Sequence, residues 1–205
     1  MFYMIRVMEK NKQNGCSAWS FHIDDVENFS YIEDGFSKEE CKEIIDIGNA
    51  VPKQKGLVSK GYIAENREAN ISWLFPSDGM TKYYRKLTDM VLGLNRKFFN
   101  FDLWGFTEGL QFTHYTSTPK GFHEKHQDKY MKGVIRKLSI IIQLSDPKDY
   151  EGGDIKLHLG GKPQKITKKA GHVIVFPSYV LHQVTPVTKG ERYALVGWVT
   201  GPKFK

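Results

Sequence analysis

The sequence predicts an α+β fold in which helices near the N-terminus buttress a two-sheet β roll. Three observations carry this expectation. Apolar residues recur at helical steps between residues 34 and 98. From Phe101 onward the period shortens to that of strands, and glycine-centred turns cut this second half into short pieces. At 205 residues, 40% of them hydrophobic and 13% aromatic, the chain can bury one sizeable core.

In chain order, residues 1–33 read as a mixed N-terminal arm that begins strand-like. Residues 34–205 read as one domain, with helical support over 34–100 and a β roll over 101–205. Asp34-Gly35-Phe36-Ser37 opens the first helix. Ser37 and Glu40 have the spacing of a capping box, and Phe36 can staple onto Cys41. Cys41, Ile44, Ile45 and Ile47 supply the apolar face, and Gly48-Asn49 is the expected stop.

Pro52 to Pro76 is polar, lacks a helical period, and reads as a loop or hairpin with Trp73 near its end. Long irregular segments in compact domains are often functional, so this one is expected to overhang a site; an ordinary connection is the alternative. The second helix runs from Ser77 to Phe98, with Met80, Tyr83, Tyr84, Leu87, Val91, Leu94 and Phe98 on one stripe. That stripe reads as core packing.

Strands are expected at Leu103–Tyr115 (one or two), Leu138–Leu144, Ile155–Leu159, Val173–Phe176 and Tyr193–Val199. Glu151-Gly152-Gly153 and Ala170-Gly171 supply turns between them. Short, evenly spaced strands after helices point to a double-stranded β-helix of the jelly-roll or cupin kind.

Composition narrows the function classes. The net charge of +7 comes from scattered lysines without a run of like charge or a nucleic-acid-binding motif. A solvated surface accounts for it, with attraction of an anionic co-substrate or acidic partner as the second use. No apolar run approaches the roughly 18 residues of a membrane span. The first residues lack the pattern of a signal peptide, and Cys16 and Cys41 form no metal spacing or disulfide framework. The expected location is the cytoplasm.

The chemistry concentrates between Tyr115 and Trp198. His126-Gln127-Asp128 places two ligands at i and i+2, which share one face of an extended backbone. A third ligand must come from a distant strand, and His182 follows the apolar strand Val173–Phe176. Two imidazoles and one carboxylate hold one face of an octahedral Fe(II) ion and leave the other positions open. Thr185 to Gly190 is rich in turn formers, and a hairpin there would fold Arg192 back beside His182. A guanidinium near the metal suits bidentate capture of a carboxylate. His22-Ile23-Asp24 repeats the His-x-Asp pattern but reads as a decoy.

These residues resemble the Fe(II)/2-oxoglutarate-dependent dioxygenases of the prolyl 4-hydroxylase-like family, over roughly Gly35 to Pro202. The likeness is strongest in Arg136-Lys137-Leu138-Ser139, Gln143-Leu144-Ser145-Asp146, Tyr150-Glu151-Gly152-Gly153-Asp154, Phe176-Pro177-Ser178, His182-x-Val184-x-Pro186-Val187 and Gly190-x-Arg192-Tyr193. The resemblance implies that His126, Asp128 and His182 bind iron. It implies that Arg192 holds the distal carboxylate of 2-oxoglutarate, with Tyr115 helping at the same co-substrate. It also puts Arg136 and Trp198 at the substrate mouth, where a surface ion pair and a core aromatic are the plainer readings. Where such proteins often carry a strand tyrosine for the co-substrate carboxylate, this chain has Ile142 and Gln143.

The implied reaction couples oxidative decarboxylation of 2-oxoglutarate, with O2 and with ascorbate as accessory reductant, to hydroxylation of a prolyl residue in a protein or peptide. Hydroxylation of another amino acid or a small metabolite is the alternative, and a non-catalytic cupin-like binding module the second. Zn(II) hydrolase chemistry fits less well, because no poised base accompanies the site. Of the remaining histidines, His123 could modulate the site but reads more simply as a polar loop residue; His114 points away from Tyr115's side of its strand, His158 has no nameable partner, and His172 opens a strand elsewhere.

Overall fold

Ser37 starts the first helix through the capping box that its sequence spells. Its hydroxyl accepts from the Glu40 backbone N–H at 3.2 Å, and the Glu40 carboxylate accepts from the Ser37 N–H at 2.7 Å. The computed structural model describes residues 5–6, 26–55, 66–131 and 133–204. The decoy His22-Ile23-Asp24 and Cys16 lie outside the described residues, as does much of the segment between Pro52 and Pro76. In chain order the elements begin with β1 (Ile5–Arg6), β2 (Ser30–Ile32), α1 (Lys38–Ala50), β3 (Gln54–Lys55), β4 (Arg67–Glu68), β5 (Asn70–Leu74) and α2 (Thr81–Leu94). They continue with β6 (Leu110–Thr116), β7 (Phe122–His126), β8 (Tyr130–Met131), β9 (Val134–Gln143), β10 (Tyr150–Gly152) and β11 (Ile155–His158). The last are β12 (Gln164–Lys165), β13 (Val173–Pro177), β14 (Leu181–Val184) and β15 (Val187–Thr200).

The strands form two antiparallel sheets. The larger runs β1-β2-β13-β9-β15-β6-β5-β3, with β10 and β8 attached to β15 and β9; the smaller runs β12-β11-β14-β7-β4. The larger sheet is covered on both faces, which explains why Ile140, Ile141 and Ile142 of β9 are all apolar and buried. Ile140, Ile142, Val173, Val175 and Leu195 join Ile44, Leu87 and Leu94 in a core beneath the helices. The alternate residues Ile141, Ile174, Phe176 and Ala194 face the other way and pack with Ile155, Leu157 and Val184 of the smaller sheet. Each such fully buried aliphatic chain contributes about 1.5–3 kcal/mol. The period-2 alternation therefore sorts one strand's residues into two cores, one under the helices and one inside the roll.

Three expectations change. The first helix does not stop at Gly48 but continues to Ala50, ending where Val51 turns extended before Pro52. Gly48 is instead a close-approach residue, since a Cβ there would lie 2.4 Å from the Phe112 ring. Only Leu110–Thr116 of the stretch 103–115 is strand, with Gly105 making an isolated bridge to Thr200. The hairpin expected over 185–190 does not form: the chain turns at Thr185-Pro186 and β15 crosses to the other sheet. A Val187 N–H donating to the Gly121 carbonyl fixes that crossing.

The second helix is interrupted less than lengthened. A short 3-10 turn at Pro76–Asp78 precedes α2, and a wider π turn over Asn95–Phe99 extends it, so the apolar stripe reaches Phe98 as expected. Of the 52–76 segment, β3 pairs with β5 on the larger sheet and β4 pairs with β7 on the smaller one. No helix among the described residues is long and apolar enough to cross a membrane.

Candidate functional site

His126 is the last residue of β7 and His182 the second of β14, and the two are register partners in an antiparallel pair. Their rings lie 4.1 Å apart between centroids. Asp128 is not on the strand. It follows the end of β7 by two residues and is pinned by its own N–H, which donates to the Ser178 carbonyl at 2.9 Å in the turn before β14. The carboxylate thereby faces both imidazoles: Oδ1 is 3.6 Å from His126 Nε2 and Oδ2 is 3.4 Å from His182 Nε2. One ligand atom from each residue falls within 4.8 Å of the other two. Ligands about 2.1 Å from a shared octahedral ion stand about 3 Å apart at right angles, so the two edges to Asp128 are about half an ångström too long and the edge between the histidines closes further when an ion binds.

Each ligand is oriented by a second partner. His126 Nδ1–H donates to the Glu124 carbonyl at 2.7 Å and His182 Nδ1–H to the Val180 carbonyl at 2.9 Å. Because a carbonyl only accepts, both Nδ1 atoms carry the proton and both Nε2 lone pairs face Asp128. Ser139 Oγ–H donates to Asp128 Oδ2 at 2.8 Å, and the Ser139 and Ser178 hydroxyls lie 3.0 Å apart. Burial, with the neighbouring His182, pushes His126 down to about 4, which keeps its imidazole neutral. Burial alone would raise Asp128; His182, His126 and the indole N–H of Trp198 outweigh it and hold the carboxyl at about 2. A neutral His126 imidazole beside an ionised Asp128 carboxylate suits metal binding, which requires deprotonated ligand atoms.

Arg192 is the largest fully buried side chain among the described residues, only 1% exposed. It shares the roll-facing side of β15 with Ala194 and stands opposite Tyr115 in register, its guanidinium carbon 5.3 Å from that ring's centroid. Nη2 donates to Gln143 Oε1 at 2.9 Å, while Nε has no partner. A buried guanidinium whose protein partner is a neutral amide costs on the order of several kcal/mol, and an anionic ligand is what would offset it.

A family model described as the 2OG-Fe(II) oxygenase superfamily matches residues 110–200, the span that holds both the triad and Arg192. A PKHD-type hydroxylase of Prochlorococcus marinus strain NATL2A is 31% identical over 169 residues, covering 80% of this chain and 74% of the relative. This chain belongs to the 2OG-Fe(II) oxygenase superfamily. Its fold matches a Pseudomonas putida prolyl-4-hydroxylase with a TM-score of 0.69, at 20% identity over 86% of this chain and 94% of that one. It also matches a Trichoplax adhaerens prolyl hydroxylase, solved with a peptide fragment of a hypoxia inducible factor oxygen degradation domain, with a TM-score of 0.71. That second likeness is at 16% identity over 85% of this chain and 84% of the other. The chain is thus a 2OG-Fe(II) dioxygenase with the fold of the prolyl hydroxylases, and Fe(II), 2-oxoglutarate and O2 are its metal, co-substrate and oxidant.

The residues present fit those groups. The triad offers two imidazole nitrogens and one carboxylate oxygen, and the unpaired Arg192 Nε–H offers a charged donor for a carboxylate. Between them the roll-facing side chains Tyr115, Ile141 and Ala194 make a dry wall. Arg136 and Trp198 are together at one end of this strip: the Arg136 guanidinium lies 3.7 Å over the Trp198 ring. Trp73 stands 6.1 Å from the same indole. Arg136 is committed to Glu108, which it grips with Nε and Nη2 at 2.7 Å each. The Arg136 side chain of this pair is buried, not on the surface, and Trp198 is buried as the core-aromatic reading has it.

Sequence reasoning missed several neighbours of the site. His123 is on β7, not in a loop, and stacks on His126 with centroids 3.5 Å apart. Burial, with His126 and Arg67 nearby, pushes its imidazole down to about 2. The Ser139–Ser178 hydroxyl pair and Tyr150 were visible only as family-like triplets, with no local signal of what they touch. The other histidines stand apart: His114 bonds Glu191 at 2.9 Å and stacks on Tyr193, His158 finds a partner the sequence did not suggest in Gln183 at 2.8 Å, and His172 immediately precedes β13.

Proposed function

We propose that this oxygenase hydroxylates a prolyl residue in a peptide or protein, with His126, Asp128 and His182 holding Fe(II). Arg192, with Tyr115 beneath it, seats the distal carboxylate of 2-oxoglutarate, and Arg136 and Trp198 wall the substrate mouth. The observation that carries the reading is the triad itself: three ligand atoms within 4.8 Å, each with its second polar atom or backbone already tethered. The peptide assignment draws on the Trichoplax neighbour, whose structure contains a peptide fragment.

When bound, Fe(II) with 2-oxoglutarate and O2 supplies an oxidant strong enough for an unactivated C–H bond, at the expense of succinate and carbon dioxide release. The chain's own part is to place and protect. The carbonyls of Glu124 and Val180 fix the two imidazole tautomers, and Ser139 fixes the rotamer of Asp128. The apolar wall of Ile141 and Ala194 excludes water between the metal and Arg192. C–H abstraction needs no general base, and the site provides none.

The test is succinate formation by anaerobically iron-loaded protein given 2-oxoglutarate and oxygen, with and without a panel of proline-containing peptides read by mass. Peptide-stimulated turnover with one oxygen gained on proline is the expected result. Stimulated turnover that marks another residue or a small metabolite would overturn the prolyl assignment, and absence of both turnover and iron binding would overturn the site.

A further inference from the structure

We propose that the Tyr150 hydroxyl is the second donor for the distal carboxylate of 2-oxoglutarate, acting beside the Arg192 Nε–H. The inference rests on the reading of Arg192 given above.

Two buried polar atoms in one corner of the roll lack partners, and both are donors. Neither Arg192 Nε–H nor the Tyr150 hydroxyl, on a residue 4% exposed, makes a hydrogen bond of good geometry, although the phenol stands close enough for the guanidinium to act on it. Leaving each unpaired costs about 1–3 kcal/mol, so a native chain retains such a pair where a ligand completes it. The two belong to the same spot. Tyr150 opens β10 opposite Gly190 of β15, two residues from Arg192. A Cβ added at Gly153 would lie 2.9 Å from Arg192 Cδ and 3.2 Å from Tyr150 Cε2, so both side chains border one bare stretch of backbone.

The other groups in this corner are already used. Gln143, the β9 side chain that meets Arg192, spends its Oε1 on Arg192 Nη2 and its Nε2–H on the Thr167 carbonyl at 2.9 Å. It has orientation to give but no donor to spare. Asp154 is the nearby carboxylate, and Lys165 and Lys168 hold it at 2.9 and 3.7 Å. Lys168 also lies 4.4 Å over the Tyr150 ring and donates to the Gly152 carbonyl at 2.6 Å, which fixes the phenol's position. Burial raises the Tyr150 pKa against the pull of Arg192, so the hydroxyl keeps its proton and donates at neutral pH. One cation and one neutral donor converging on a dry corner match a single carboxylate. A 2-oxo acid without a distal carboxylate leaves both unpaired.

The experiment is calorimetric titration of 2-oxoglutarate, and separately of 2-oxobutanoate, into Mn(II)-loaded protein under anaerobic conditions. Tyr150→Phe removes only the hydroxyl and keeps the ring under Lys168. The expected result is about tenfold weaker 2-oxoglutarate binding, with the Kd for Mn(II) and the Kd for 2-oxobutanoate unchanged. An unchanged 2-oxoglutarate Kd in Tyr150→Phe, alongside a large loss in Arg192→Ala, overturns the role of Tyr150 alone. Unchanged binding in both variants overturns the reading of Arg192 as well. An equal loss for 2-oxobutanoate also overturns the proposal, because the hydroxyl would then be acting on the site as a whole.

Discussion

The two ends of the roll interior are built on opposite principles. At the metal end, the triad's supporting atoms are paired within the protein: both Nδ1–H groups reach carbonyls, the Asp128 carboxylate has Ser139, and its backbone has Ser178. At the Arg192 end a cation and a phenol are buried with donors unspent. The difference teaches where each ligand's binding energy comes from. The metal end is preorganised in orientation, so an ion meets three side chains already aimed at one point. The Arg192 end is destabilised until an anion arrives, so a carboxylate there gains the relief of two buried donors as well as its own hydrogen bonds.

The largest expected effect comes from breaking the metal end outright. Asp128→Ala or His182→Ala should lower 2-oxoglutarate turnover by at least about 100-fold, with the circular dichroism spectrum unchanged. Full activity in either variant would show that the reacting centre is elsewhere. Arg192→Ala should raise the 2-oxoglutarate requirement by about 100-fold or more, with little change in the iron requirement. Unchanged co-substrate dependence would mean that the carboxylate is gripped by another group.

These two ends were not equally legible in the sequence. His126, Asp128 and His182 are chemically distinctive, and their order alone pointed to a metal; what could not be read was that Asp128 leaves the strand and hangs from the Ser178 carbonyl. Arg192 was identified, but its setting was misjudged. The turn formers over 185–190 suggested a hairpin beside His182, whereas the chain changes sheets at Thr185-Pro186 and carries Arg192 opposite Tyr115. Local turn chemistry does not say which sheet the next strand joins; that is decided by long-range pairing with β6 and β9. The helices were legible because the capping box and the 3.6-residue stripe are local signals. Gly48 was misread because its reason is Phe112, on a strand far along the chain. The settings of Tyr150 and His123 were not legible on the same ground: their contacts are fixed by the fold, not by local pattern.

Smaller changes sharpen the contrast. Ser139→Ala removes one support of Asp128 and leaves the three ligands in place, so metal affinity should fall by about tenfold. A loss as large as that of Asp128→Ala would mean that Ser139 is indispensable to the carboxylate, not an aid to it. The smallest effect concerns pH and the metal-free protein. The folded chain holds His123 at about 2, well below the ordinary imidazole value. Below about pH 6.5 the unfolded chain takes up a proton that the folded chain refuses, so this contribution to stability is full above pH 6.5 and shrinks as the pH falls toward 2, by up to about 1.4 kcal/mol per pH unit. His123→Phe keeps a ring against His126 and removes that titration, so its Tm should fall a few degrees less than that of the unaltered protein between pH 6.5 and 5. Parallel Tm curves would place the acid sensitivity in other groups.

The most direct measurement is a pair of titrations, Mn(II) and then 2-oxoglutarate, on Asp128→Ala and Arg192→Ala side by side. If the two ends work as described, Asp128→Ala loses the metal, while Arg192→Ala keeps the metal with its normal Kd and loses the keto acid. Loss of metal in Arg192→Ala, or undiminished keto-acid binding by it, would contradict the division of the site into a preorganised metal end and an anion-awaiting end.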